Sequence, residues 1–148
     1  MYSIELKDLT LSDAQNRILQ AVENICDTYH LEEQFGIISY GMYELVTMVE
    51  HCAGRDDATF TVNFYIHNDR ISVQLSGAEG LSEINRRMTE ATFEDAKTEA
   101  FTVACLTDSH EVRADGKELW LDILASPTFD TPNRAEVLQQ QSVRTLQA

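Results

Sequence analysis

The twenty residues from Glu33 to Cys52 read as a helix that is apolar around more than half of its circumference. A helix of that kind has no wide polar side to give to water, so it must sit at the centre of the fold. Ile38, Met42, Leu45, Val49 and Cys52 form one stripe, with Gly41 and Met48 flanking it. Within its second half, Tyr43 to Cys52, Glu44 is the conspicuous carboxylate. Ala53-Gly54 supplies a C-terminal stop, and Arg55-Asp56-Asp57 a polar turn.

What surrounds that helix follows from the periodicity on either side. Tyr2, Ile4 and Leu6 alternate with polar residues and predict a short first strand. Ser12 and Gln15 have capping-box spacing and open a helix whose stripe is Ile18, Val22, Ile25 and Tyr29, widened by Leu19 and Cys26. His30 lies at its end, where a cation meets the helix dipole favourably.

Beyond the central helix, Phe60, Val62, Phe64 and Ile66 alternate, then Ile71, Val73 and Leu75 do so after a turn at His67 to Arg70. The pair is a β-hairpin, with His67 a solvated turn residue. Ser76 to Gly80 breaks the pattern; a short helix is predicted over 81–88 and a longer one over 92–108. Asp115-Gly116 then joins His110–Arg113 to a strand with Leu119, Leu121 and Ile123 inward, a second hairpin. Thr131-Pro132 opens a weak helix over Asn133 to Ala148. Two hairpins and a first strand with helices for one side predict an α+β, two-layer sandwich, helices packed on one face of a mostly antiparallel sheet. The expected division is a domain at residues 1–125 and a tail at 126–148, possessing at most a short docking helix.

Composition narrows the function classes. Twenty-five acidic against 11 basic residues give a formal charge of −14, which repels phosphate backbones and anionic bilayers, so neither nucleic acid nor membrane is an expected partner. No window approaches the roughly 20 apolar residues of a membrane span, and the N-terminus lacks a secretion-signal pattern; a cytoplasmic location is expected. Cys26, Cys52 and Cys105 lie far apart in apolar helical patterns, which suits free core thiols.

The element order, together with Glu44-Leu45-Val46-Thr47, resembles the GHKL (Bergerat-type) ATP-binding domain shared by gyrase, histidine kinases and MutL. The branch it looks most like is the anti-sigma-factor serine kinases of bacterial partner-switching systems, over residues 2–125. The resemblance implies a histidine-kinase-like ATPase fold. It also implies a central-helix Glu-x-x-x-Asn in which the glutamate activates or positions the reacting group and the asparagine binds magnesium. Glu44 matches the first position, His51 falls near a histidine common shortly afterwards, and the asparagine position is Met48. A thioether is soft and apolar, whereas magnesium takes hard oxygen ligands. The family's Asp-x-Gly-x-Gly matches Leu75-Ser76-Gly77, with Gly80 one residue late, so the adenine-binding aspartate is replaced by a leucine that accepts no hydrogen bond. The phosphate lid should lie before Phe101, yet Thr89 to Ala100 contains no glycine.

These departures predict a degenerate nucleotide site formed by Glu44, Met48, His51, Leu75 and Gly77, with no cofactor and no metal. Glu44 reads as a vestigial catalytic candidate at the rim of that site; the other reading is a general base whose pKa burial beside Met48 would raise. His51 and Cys52 point about 100° apart on a helix and make a poor nucleophile–base pair. Tyr65 and Trp120 face outward on the sheet and are a candidate interface for a partner or a second copy, or a seat for the tail. The expected function is a non-catalytic regulatory module that binds a regulatory protein or forms a homodimer. The alternative is an active serine/threonine kinase or anti-sigma factor using ATP and magnesium in a divergent site. A third possibility is an apolar ligand pocket lined by Met48 and Leu75.

Overall fold

The computed structural model describes residues 2–92, 94 and 98–129. Along the chain run β1 (Tyr2–Thr10), α1 (Ala14–Thr28), α2 (Phe35–Cys52), β2 (Thr59–Ile66), β3 (Arg70–Ser76), α3 (Leu81–Glu90), α4 (Glu99–Leu106), β4 (Ser109–Arg113) and β5 (Glu118–Leu124). The strands form one antiparallel sheet in the order β1-β2-β3-β5-β4. The α+β two-layer sandwich expected from the sequence is the architecture observed.

Alternation decides which face is covered. Phe60, Val62, Phe64 and Ile66 of β2, Ile71, Val73 and Leu75 of β3, and Leu119, Leu121 and Ile123 of β5 are buried on one side. Gly41, Met42 and Leu45 of α2 lie over Val73, Leu121 and Ile123, and Gly41 faces Leu106 of α4, whose side chain would be in ordinary contact, 3.6 Å, with a Cβ there. Each fully buried aliphatic side chain contributes about 1.5–3 kcal/mol, so this layer of contacts dominates the fold.

The opposite sheet face is polar and satisfied within itself. Gln74 Oε1 accepts from Asn63 Nδ2 at 3.2 Å and from the Tyr65 hydroxyl at 3.0 Å. Ser72, buried at 4 % exposure, donates to Asp122 at 2.5 Å.

Several local expectations are corrected. β1 contains a bulge between Leu6 and Leu9, with Asp8 at φ +54, so its inward set switches from Ile4 and Leu6 to Leu9. The Ser12–Gln15 capping box does not form. Thr10 N–H donates instead to the Asp13 carboxylate at 2.9 Å, and Gln15 donates to the Tyr43 carbonyl at 3.0 Å. Leu19 leaves the predicted stripe and is 42 % exposed, because Ala14, Ala21 and Val22 already fill the inward side of α1. His30 ends α1 by taking φ +58, which carries Leu31 N–H back to the Cys26 carbonyl at 2.9 Å.

α2 starts at Phe35 after a 3₁₀ turn (Glu32–Gln34), not at Glu33. It stops where Ala53 turns extended at ψ 130, without a left-handed glycine. The predicted helix over 92–108 is described only as α4, which starts after Thr98 accepts from Phe101 N–H at 3.3 Å. The weak helix expected over Asn133–Ala148, with its Thr131-Pro132 cap, lies outside the described residues.

The first residues past 125 dock on the body. Thr128 N–H donates to the Tyr29 carbonyl at 2.8 Å, and Phe129 stacks on Tyr2 with ring centres 5.3 Å apart. All three cysteines are free, yet Cys105 is exposed rather than in the core. Burial pushes the Cys26 thiol up to about 11. No described helix is long and apolar enough to cross a membrane.

Two junctions yield predictions. Gly80 sits at φ +78, and a Cβ there would stand 2.9 Å from the Cys52 Cβ; Gly77, at φ +80, has nothing nearer than 3.6 Å. Gly80→Ala should therefore cost about 3 kcal/mol or more and Gly77→Ala about 1–2, by urea unfolding. Equal costs would show that the close approach to Cys52 relaxes freely.

His110 Nδ1 lies 2.6 Å from Asn85 Oδ1, and burial holds its pKa below the ordinary value. The unfolded chain takes up that proton first as pH falls. Its stabilising contribution is thus present above about pH 6.5 and lost as pH drops through the folded value. Wild type should lose more stability than His110→Gln between about pH 7.5 and about pH 5; parallel slopes would refute this.

Candidate functional site

A cavity of about 350 Å³ opens between the C-terminal half of α2, the end of α3 and the start of α4. Met48 and His51 come from α2, Arg87 and Glu90 from α3, Ala91 from the turn after it, and Thr98, Glu99 and Ala100 from the start of α4. Met48 and His51 reach it together because they are three residues apart on one helix face. Met48 is 2 % exposed and forms an apolar wall.

The charges are spoken for. Arg87 is hydrogen-bonded to Glu83 at 3.1 Å, within a lattice in which Arg86 also binds Glu83 and Glu90. Hydrogen bonds from Arg86, and then Arg87, hold the Glu83 carboxyl down at about 2. His51 Nδ1 lies 3.9 Å from Glu99. Histidine set aside, the described wall residues carry one cation, Arg87, against two carboxylates, Glu90 and Glu99, which does not favour a polyphosphate.

The start of α4 is also poorly disposed toward phosphate. Its Phe101 N–H is taken by the Thr98 hydroxyl, and Glu99 places a negative charge in the first turn. A helix N-terminus attracts an anion through open N–H groups and an uncompensated dipole, and here both are partly used.

Of the residues singled out from sequence, only Met48 and His51 meet in this cavity. Glu44 lies one turn before Met48, half-buried, without a hydrogen bond or ion pair among the described residues. Leu75 does not share a pocket with Met48. It is 0 % exposed in β3, paired with Val62 and Leu119. The strand's own alternation sends it inward, so the apolar pocket expected between Met48 and Leu75 is not formed. Gly77 lies against the Phe60 backbone in a separate crevice of about 30 Å³ that includes Val49 and Glu79. Cys52 packs against Gly80 while His51 faces Glu99, so the two do not form a reacting pair. Among the described residues no group of three or more His, Cys, Asp or Glu is placed to hold a metal ion.

Arg87, Glu90, Thr98 and Glu99 were not anticipated. The available signals were the three-residue spacing of Arg87 and Glu90 on one helix and a threonine just before an apolar run.

Tyr65 and Trp120 lie on the outer sheet face, as their strand phase predicts, with rings stacked 5.5 Å apart at 18°. Arg113 covers Trp120 at 4.5 Å, and the indole N–H donates to Glu118 at 2.9 Å. The stack satisfies its own polar atoms.

The fold defines an α+β sandwich protein with a cavity beside the central helix. No family model and no curated protein matches the chain. Among solved structures, a chain of the crystal structure of the SiaB–SiaC complex from Pseudomonas aeruginosa is similar, with a TM-score of 0.54 and 14% identity. The match covers 82% of this chain and 89% of that one. At that identity the likeness is one of fold.

Met48 faces a cavity but is sealed from water, so chemistry at that position is tied to stability. Met48→Asn should destabilise by about 2–4 kcal/mol, whereas Met48→Leu should cost less than about 1.5, measured by urea unfolding. An asparagine variant as stable as wild type would mean that the side chain reaches solvent.

Proposed function

We propose that this protein is a non-catalytic regulatory module of the partner-switching kind, built on a nucleotide-binding scaffold that no longer holds magnesium–ATP. It acts by binding a regulatory protein. The observation that carries the reading is Met48: an apolar, buried thioether stands on the central helix where the resembled family places a magnesium-binding amide. The net negative charge of the described cavity-wall residues, the inward Leu75 and the glycine-free stretch from Thr89 to Ala100 support it. The fold likeness to a chain from a two-protein complex is compatible with a protein partner.

The cavity itself favours a second reading. About 350 Å³ beside Arg87 and His51 is within the range of a ligand site, and an active serine/threonine kinase or anti-sigma factor would place its nucleotide there, with Glu44 as base. Isothermal titration of the full chain with magnesium–ATP separates the two. The proposed function predicts no saturable heat for wild type and none for Met48→Asn, since one restored amide leaves Glu90, Glu99 and the glycine-free stretch before α4 unchanged. Binding of wild type at micromolar affinity would falsify the proposal.

A further inference from the structure

Three of the exposed large apolar side chains border one crevice of the helical layer: Leu19 of α1 and Tyr40 and Tyr43 of α2, 42 to 54 % exposed. Between the two helices lies a groove of about 340 Å³, walled by Ile18, Leu19, Val22, Tyr40 and Tyr43. Gln15 closes one end by its hydrogen bond to the Tyr43 carbonyl. Toward the other end is Gly36, whose missing side chain would meet nothing within 4 Å. The wall from Gln15 to Val22 extends about 10 Å, two helical turns. That is the length over which an amphipathic helix places its i, i+3, i+4 and i+7 anchors.

Charge identifies the kind of occupant. From Ala14 to Cys52 the chain carries Glu23, Asp27, Glu32, Glu33, Glu44 and Glu50 against a single basic residue, Arg17, if histidines are counted neutral. Arg17 faces Asp13 at 3.8 Å. Glu23 follows Leu19 by four residues and Glu44 follows Tyr40 by four, so each carboxylate stands one helical turn beyond an apolar wall residue of the groove. A second copy would bring the same acidic border against itself, with each chain at −14.

We propose that the α1–α2 groove is the docking site for an amphipathic helix of a partner protein, its apolar stripe bordered by lysine or arginine. This rests on the regulatory-module reading and specifies the surface it uses. Leucine-sized side chains of the partner enter between Leu19 and Tyr40, and its cations lie over Glu23 and Glu44. Aromatic walls of this kind carry large shares of binding energy, while the acidic border sets the association rate and the salt dependence.

The test uses the full chain and a fluorescein-labelled synthetic helix of about 18 residues, with leucine at the i, i+3, i+4 and i+7 positions and lysine elsewhere. Fluorescence polarisation should show saturable binding that weakens as salt is raised. Leu19→Ala and Tyr40→Ala, both at exposed positions, should each weaken binding at least about fivefold. Tyr65→Ser on the outer sheet face should leave it unchanged, and a peptide with glutamate for every lysine should not bind. Circular dichroism confirms that each variant is folded.

Absence of binding, or binding indifferent to Leu19 and Tyr40, overturns the groove as the site. A sedimentation experiment showing a dimer dispersed by Tyr40→Ala overturns the heterologous occupant in favour of a second copy. Neither result touches the nucleotide question, because the regulatory reading fails only on the magnesium–ATP titration.

Discussion

The packing of α2 across the sheet is the constraint on which the remaining structure depends. Ile38, Met42, Leu45, Val46, Met48 and Val49 are all buried along one arc of this helix. The sheet below it offers an equally apolar surface of Phe64, Val73 and Leu121. At roughly 1.5–3 kcal/mol for each buried side chain, this interface outweighs every polar contact in the molecule. The polar groups are arranged around it: the Gln74 and Asp122 networks lie on the far face of the sheet. Any residue placed on the α2 arc must therefore be judged first as core. An unliganded asparagine at position 48 would bury an amide where the side chain is 2 % exposed, at a cost of about 1–3 kcal/mol where it finds no partner. Under the proposed function, methionine at that position is what core packing selects once no ion is bound.

The same priority explains which expectations were legible in the sequence. Both hairpins and the inward sets of β2, β3 and β5 could be read directly, because strand alternation and core burial agree residue by residue. α2 was legible for a similar reason. The misses fall where a tertiary partner or a local competitor intervened. Gln15 has a capping-box spacing, yet the Tyr43 carbonyl on α2 takes its side chain. Leu19 fits an apolar stripe, but the small Ala14 and Ala21 bring α1 close enough to fill the inward side without it. The bulge at Asp8 gives no hydrophobic signal, since a positive φ at a non-glycine residue leaves no mark on periodicity.

The candidate site was legible only in part, and the reason is geometric. Met48 and His51 share a helix face, so spacing alone brings them together. Arg87, Glu90, Thr98 and Glu99 arrive from two other helices, and no local pattern announces such a meeting. Leu75 shows the converse: a position matched by motif alignment obeys its strand's alternation and turns into the core. Under the proposed function, fold and chemistry separate in this chain, the scaffold positions kept and the chemistry-bearing ones replaced.

The cavity and the groove occupy opposite flanks of α2. At about 100° per residue, Tyr43 and Met48 stand roughly 140° apart around the helix. Tyr43 borders α1, whereas Met48 faces the start of α4. An occupant of the groove would not cover the cavity, and a ligand in the cavity would not touch the groove. Any communication between them would have to pass through the position of α2, held between Gly41 against Leu106 on one side and Gln15 against the Tyr43 carbonyl on the other. Those two contacts are of different kinds. The apolar one fixes how closely α2 approaches α4, while the hydrogen bond fixes the register of α2 along α1.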